Sequence, residues 1–309
     1  MNVTRFCPAK INLFLEVTGK RPNGYHELAT LFAKIDLGDT LHVTAEEATQ
    51  TRISLRITGP QGKRIPCSPK NLVWKAAQQF LEQTGLRAHV QLHLDKHVPT
   101  GAGLGGGSSD AAGVLLALCD IFNQNPMDFL PLAARLGADV PLFMYPDTFL
   151  KGEGIGEKLT PVEAPHPLPK LILVYPRVAV STKEVFSNIT LPPTEEILTN
   201  TAKLDKLIDV VRDGLAPSAW KPLLFNRLEK YVLPSVAPVQ NALCALAEVS
   251  DGVCRMSGSG SAVFALVGTN TDARNAAHRL QHLKMLIYSV SFYRDSYHAN
   301  HRNKNSSCG

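Results

Sequence analysis

Between Pro99 and Ala112 the chain reads Pro-Thr-Gly-Ala-Gly-Leu-Gly-Gly-Gly-Ser-Ser-Asp-Ala-Ala, with five glycines among the seven residues from Gly101 to Gly107. A nearly all-apolar stretch, Ala111 to Phe122, follows at once. A run that is apolar on every side predicts a buried helix. Ser108, Ser109 and Asp110 ahead of it are residues that open helices. The glycines let the backbone approach a ligand closely and turn its N–H groups inward. The helix N-terminus adds unpaired N–H groups and a partial positive charge. Together they predict an anion cradle suited to phosphates. In this reading a side chain at Gly103 or Gly106 would take up phosphate space. The serine hydroxyls can reach a phosphate oxygen or a bound Mg2+.

Two better-known glycine patterns compete with this one. A P-loop requires G-x-x-x-x-G-K-[ST], and the lysine is absent. The dinucleotide pattern G-x-G-x-x-G is formally met by Gly101, Gly103 and Gly106, but Pro99 interrupts the direct strand-to-turn junction that pattern needs. A flexible surface loop fits poorly against a buried helix.

The rest of the sequence narrows the class. At about 150 residues per domain, 309 residues suggest two domains. The net charge of +5 is modest, and no block of like charges carries it. A nucleic-acid binder would show a basic stripe, so the excess suits anionic small molecules. The six cysteines form no C-x-x-C pair, which argues against a disulfide scaffold or zinc site and for reduced thiols. Met1-Asn-Val-Thr-Arg lacks the basic and apolar regions of a signal peptide, and no apolar run approaches the roughly 20 residues of a membrane span. A cytoplasmic protein, with neither membrane nor nucleic acid as partner, is the expectation.

Along the chain, Ile11 to Val17 reads as a strand. Period 2 sets Lys10 and Asn12 on one face and Ala9, Ile11, Leu13 and Leu15 on the other. Arg21 to Gly24 is a turn, Thr40 to Val43, Arg52 to Thr58 and Ala88 to Leu94 alternate as strands, and Asn71 to Thr84 is a helix stopped by Gly85. Asp128 to Leu136 reads as another helix. Gly152 to Pro169 is rich in glycine and proline and marks a boundary. Beyond it come strands at Leu171 to Tyr175 and Leu286 to Phe292, helices at Thr194 to Gly214, Pro234 to Val249 and Thr271 to Leu283, and a Gly/Ser turn feeding a strand over Met256 to Val267. Strands and helices mix without regular βαβ alternation, which predicts an α+β fold. Expected domains are 1–160 and 161–294, with a disordered tail at 295–309, where His298 and His301 read as solvated.

Five segments carry a resemblance: Pro8-Ala-Lys-Ile-Asn-Leu-Phe-Leu15, Gly24-Tyr-His-Glu27, Pro99 to Ala112, Gly137-Ala-Asp-Val-Pro141, and Met256-Ser-Gly-Ser-Gly-Ser-Ala-Val-Phe264. The glycine loop resembles the ATP loop of the galactokinase, homoserine kinase, mevalonate kinase and phosphomevalonate kinase superfamily. The P-A-K-x-N-L opening and G-Y-H bring the likeness closest to its 4-diphosphocytidyl-2-C-methyl-D-erythritol kinases, of the non-mevalonate isoprenoid pathway. The resemblance implies an N-terminal domain like the second domain of ribosomal protein S5 and a ferredoxin-like C-terminal domain. It implies ATP and Mg2+ as cofactors, an acceptor carrying a cytidine diphosphate group, and a monomer or homodimer. The pattern departs after Asp139, where Pro146-Asp-Thr-Phe149 replaces a small-residue stretch.

The same resemblance assigns roles. Asp139 is implied as the base and Lys10 as its cationic partner; read without it, Asp139 is better taken as a loop aspartate capping a backbone N–H, and Lys10 as an edge charge. Asn12 shares Lys10's face and can hydrogen-bond the same substrate. The ATP site is implied to include Pro99, Gly101, Ala102, Gly103, Leu104, Gly105, Gly106, Gly107, Ser108 and Ser109, with Asn71, Leu72 and Lys96 around the adenosine. Tyr25 would stack on a cytosine and His26 hydrogen-bond it, with Phe186 closing the other face and Thr182 adding a polar contact. Without the resemblance, Tyr25 is equally a hairpin packing residue and Phe186 a core one. Three other readings remain at this stage: a different small-alcohol kinase of the superfamily, a nicotinamide-dependent oxidoreductase, and a binding module without activity.

Overall fold

The computed structural model describes residues 1–63 and 65–294. The expected tail, with His298 and His301, lies outside the described residues. The N-terminal half contains β1 (Asn2–Lys20), β2 (His26–Glu47), β3 (Arg52–Thr58), α1 (Leu72–Thr84), β4 (Ala88–Asp95), α2 (Gly106–Phe122), α3 (Leu130–Leu136), α4 (Val140–Met144), β5 (Phe149–Gly154) and β6 (Lys158–Val162). The C-terminal half contains β7 (Lys170–Tyr175), α5 (Thr182–Ser187), α6 (Thr194–Arg212), α7 (Pro217–Trp220), β8 (Phe225–Asn226), α8 (Glu229–Val232), α9 (Ala237–Val249), β9 (Cys254–Met256), β10 (Val263–Val267), α10 (Asn270–Arg279) and β11 (Leu286–Val290).

The architecture is α+β. The first sheet runs β3-β4-β2-β1-β8, with β5 joined to β2 and β6 to β5. The long β2 serves two partners in turn: residues 28–33 pair with β5, and residues 40–47 pair with β4. Its inner face at the β4 end, with β1 and β4, buries Cys7, Leu41, Val43, Leu92 and Leu94 against α1 and α2. Helix α2 is buried along most of its length, as an all-round apolar run requires. The second sheet runs β11-β7-β10-β9 with every neighbour antiparallel. Numbered within that domain this is the order 4-1-3-2, the ferredoxin arrangement. One face packs on α9 and α10 through Val239, Ala242, Leu246, Ala273 and Ala276. The other shares a core with the first sheet: Ile11, Leu13 and Leu31 meet Leu171, Leu173, Leu207 and Trp220.

Several expectations need correcting. Strand β6 continues through Val162, so a division after residue 160 falls inside it. The two-residue β8, from the second half, pairs parallel with β1 through Phe14 and Leu15. Next to it Arg227 donates twice to the fully buried Glu16, at 2.7 and 2.6 Å, while Asn200 of α6 donates to Glu16 at 2.8 Å. The second half therefore reaches back into the first. The alternation of β1 also breaks. The register slips between Asn12 and Phe14, so Leu15 turns away from Ile11 and Leu13 and lines the side bearing Lys10 and Asn12. The helix read over 128–136 is a 3-10 turn, Pro126–Phe129, followed by α3.

Candidate active site

A cleft of about 1110 Å3 lies between the glycine loop, the start of β2, α5 and the turn at Gly258 and Ser259. The loop is held from both sides. The Lys10 backbone N–H donates to Leu104 O at 2.9 Å, that of Ala262 to Ala102 O at 3.0 Å, and the Ser257 hydroxyl to Gly103 O at 3.1 Å. Gly103 has φ +75°, and a Cβ there would stand 2.3 Å from Ser257 O. At Gly106 a Cβ would meet Val98 at 2.8 Å and the Lys96 ammonium at 3.0 Å. At both positions the protein's own atoms already crowd an added side chain, whatever a phosphate would require. Gly107 differs: nothing lies within 4 Å of an added Cβ.

Helix α2 starts at Gly106, earlier than the serines suggested, so Ser108, Ser109 and Asp110 lie inside it. Its cap, Gly105, offers no side chain, and no acidic residue occupies the first turn. The leading N–H groups therefore face the cleft uncapped, as an anion site requires. Pro99 to Ser108 line the cleft, whereas Ser109 is buried with its hydroxyl unpartnered among the described residues.

Lys10 and Asp139 stand in the same cleft, with Nζ 3.6 Å from Oδ2. Asp139 precedes α4 but its side chain makes no capping bond. The capping role open to it in the sequence is unused, and its carboxylate is about a third exposed, toward Lys10. Lys10 is buried, donates to Asn12 Oδ1 at 2.8 Å, and lies 5.5 Å from the centre of the Phe32 ring. Asn12 in turn donates to Thr30 Oγ1 at 2.9 Å. This fixes the amide so that its oxygen faces the ammonium. After α4 the departing segment is a short link into β5, held where Lys34 N donates to Thr148 O at 2.9 Å.

At the other end Tyr25, His26, Thr182 and Phe186 line the cleft. The rings of His26 and Phe186 are 5.4 Å apart, tilted by 44°. Tyr25 is 59% exposed, a large aromatic left open at the rim. His26 is buried, and its Nε2 has no hydrogen-bond partner among the described residues. Burial, aided by the Lys20 charge, holds its pKa below the usual histidine value. A neutral imidazole with one unmet ring nitrogen suits recognition of a polar ring edge. Thr182 Oγ1 and Ser259 Oγ are 2.7 Å apart, joining α5 to the Gly/Ser turn.

The residues expected around an adenosine divide. Leu72 lines the cleft. Asn71 does not: its Oδ1 caps α1 by accepting from Val73 N at 2.9 Å, and its Nδ2 donates to Pro66 O. The Lys96 ammonium is taken up by two carboxylates, Asp110 at 2.6 Å and Asp39. Burial opposes its charge, but Asp110 and Asp39 outweigh this and hold its pKa above the usual lysine value. Asp39 also accepts from the backbone N–H of His97 and Val98. Asp110 has an oxygen with no partner among the described residues. Burial pushes its carboxyl up to about 8, against the pull of Lys96. So Lys96 braces the loop from behind Gly106 by its side chain. Gly258, Ser259, Lys20, Lys183 and Phe32 also line the cleft. The Gly/Ser turn carried a sequence signal for the first two; the lysines and Phe32 carried none.

The chain matches the profile of the GHMP kinases N terminal domain over 71–147 and that of the GHMP kinases C terminal over 215–284. A Burkholderia ambifaria protein named 4-diphosphocytidyl-2-C-methyl-D-erythritol kinase is 39% identical over 278 residues, 89% of this chain and 88% of the relative. A Geotalea daltonii protein of that name is 35% identical, over 89% of this chain and 92% of its own. A crystal structure of 4-(cytidine 5'-diphospho)-2C-methyl-D-erythritol kinase is similar with a TM-score of 0.74 and 32% identity, covering 94% of this chain and 100% of that one. A homoserine kinase from Cytophaga hutchinsonii shares the fold, with a TM-score of 0.76 at 18% identity over 95% of each chain.

Proposed function

Since the chain belongs to the 4-diphosphocytidyl-2-C-methyl-D-erythritol kinases, ATP-dependent enzymes that phosphorylate the 2-hydroxyl of that acceptor, we propose that Asp139 and Lys10 carry the transfer in this cleft. The observation that carries this reading is their 3.6 Å approach between a phosphate loop and an aromatic slot. ATP phosphates rest on the N–H groups of Gly101 to Ser108. Asp139 orients the acceptor hydroxyl and takes its proton, while Lys10 offsets charge on the moving phosphoryl group. The transition state is loose, so proton removal can come late and positioning outweighs basicity. Asn12 holds the lysine and can bond the same hydroxyl. All these groups come from one chain. The N-terminal half supplies the ATP site and catalytic pair, and the C-terminal half supplies α5 and the Gly/Ser turn.

Among the described residues no group of three or more His, Cys, Asp or Glu could hold a metal. That suits Mg2+, which keeps its waters and binds mainly through substrate phosphates; Ser108 would offer one protein oxygen. When bound, the ion adds neutralising charge at the phosphates. No helix among the described residues is long and apolar enough to cross a membrane, and the five described cysteines are unpaired. The enzyme is proposed to work in the cytoplasm, where thiols stay reduced.

The cytosine is proposed to lie between Tyr25 and Phe186 with His26 at its edge. Stacking is worth about 1–3 kcal/mol per base, and its distance from the reacting hydroxyl makes it an anchor. In a coupled ADP-release assay, Tyr25→Ala and Phe186→Ala should raise the acceptor KM, by about tenfold or more, and leave the ATP KM near its starting value. Cytidine nucleotides should compete with the acceptor. An enzyme indifferent to cytidine nucleotides, with unchanged acceptor KM in both variants, would overturn the slot.

A further inference from the structure

Among the described residues four lysines line the cleft against a single carboxylate, Asp139. Lys10 is engaged by Asn12 and Asp139, and Lys96 by Asp39 and Asp110. Lys20 and Lys183 have no acidic partner among the described residues, and the nearby Glu27 and Glu157 are already held by Arg21 at 2.5 and 3.1 Å. The two free lysines flank the aromatic slot from opposite halves of the molecule. Lys20 closes β1 directly opposite His26 in the β1–β2 register. Lys183 lies in α5, between Thr182 and Phe186, the residues that meet Ser259 and His26.

Two unpaired ammonium groups in one cleft end repel each other and invite an anion. The glycine loop already accounts for one set of phosphates, those of ATP. An acceptor anchored by its base in the slot and by its hydroxyl at Asp139 brings a second set, and its diphosphate must pass the slot's mouth. We propose that Lys20 and Lys183 form a second phosphate site, distinct from the glycine loop, which clamps the diphosphate of a nucleoside diphosphate acceptor from both halves of the chain. This rests on the assignment of the slot to the base. It makes the slot read a nucleotide as a base joined to a diphosphate, where stacking by itself would accept a bare nucleoside.

The test is inhibition of the acceptor reaction by cytidine and by CDP, with ATP varied separately so that CDP bound at the ATP site is recognised by its competition pattern. In the wild-type enzyme CDP should compete with the acceptor at least tenfold more tightly than cytidine. Exposed charge-assisted contacts are modest, so each of Lys20→Gln and Lys183→Gln should shrink that ratio by about three- to tenfold. The double variant should bring the ratio close to one and flatten its salt dependence. Phe186→Ala should weaken both ligands together and preserve the ratio. Both lysines are exposed, so folding is not at stake, and a melting curve confirms it. Equal inhibition by CDP and cytidine in the wild type, or a double variant that keeps the full preference, would overturn the clamp and leave the slot standing. Failure of cytidine itself to compete would overturn the slot and the clamp with it.

Discussion

Gly107 offers a perturbation in which binding and stability part company. An added Cβ there meets nothing within 4 Å, and its backbone needs no left-handed angle. Replacing glycine by alanine in a helix stabilises by up to about 1 kcal/mol, so the Gly107→Ala apoenzyme should melt no lower than the wild type. The methyl would instead enter the space above the uncapped turn of α2. If ATP phosphates lie there, accommodating one extra carbon costs about 1–3 kcal/mol. At 1.4 kcal/mol per tenfold, that is about a 5- to 150-fold loss of ATP affinity. Gly103→Ala is the opposite case. Its Cβ would stand 2.3 Å from Ser257 O on a backbone with φ +75°. The left-handed angle costs about 1–2 kcal/mol and overpacking about 1–3 kcal/mol more, so this variant should melt lower even without nucleotide. Thermal unfolding of both apoenzymes, paired with ATP titration, separates the two effects. Wild-type ATP affinity in a folded Gly107→Ala enzyme would refute the placement of the phosphates.

Asp139→Asn should fold and bind both substrates yet lose turnover by about 10²–10⁴-fold; Lys10→Met should also be impaired, and the double variant should lose less than the two losses combined, because they act as a unit. A near-normal rate for Asp139→Asn removes it from the mechanism. The Lys96 triad gives a stability test. Asp110, raised by burial to about 8, holds a proton in the folded chain that it releases when unfolded. Stability from this group therefore falls as pH climbs from about 4 toward 8 and levels off above, and Asp110→Asn should flatten that slope. Lys96→Met strands the buried Asp39 carboxylate beside Asp110 and should cost about 3–5 kcal/mol, read by denaturant titration.

The parts of the fold legible in the sequence were those fixed by neighbours in the chain. The glycine loop and the Asn71 to Gly85 helix depend on short-range pattern, whereas the ferredoxin-like layout of the second half was implied by family likeness, because its strand order joins distant residues. Strand β2 shows the limit: it spans Asp36, Gly38 and Asp39, residues that read as breakers, because it changes partners midway and Asp39 is satisfied by Lys96 and two backbone N–H groups. Leu15 changed face because a register slip resets the period of two. Asn71 and Lys96 sit beside the cleft in sequence pattern, yet a helix cap and a buried ion triad claim their side chains. Lys20, Lys183 and Phe32 had no local signature, since only the closure of the cleft makes them neighbours. The pair Lys10 and Asp139, separated by over a hundred residues, drew its meaning from family likeness; the structure adds their 3.6 Å approach and the unused cap at Asp139.

The clasp formed by β8 and the Arg227–Glu16 pair bears on how this enzyme can move. A hinge works where two lobes meet across a surface that parts cheaply. Here parting would break the hydrogen bonds that Arg227 and Asn200 make to the buried Glu16 and would open a shared apolar core besides. The two halves are therefore latched at this seam, and any hinge in the molecule must lie elsewhere.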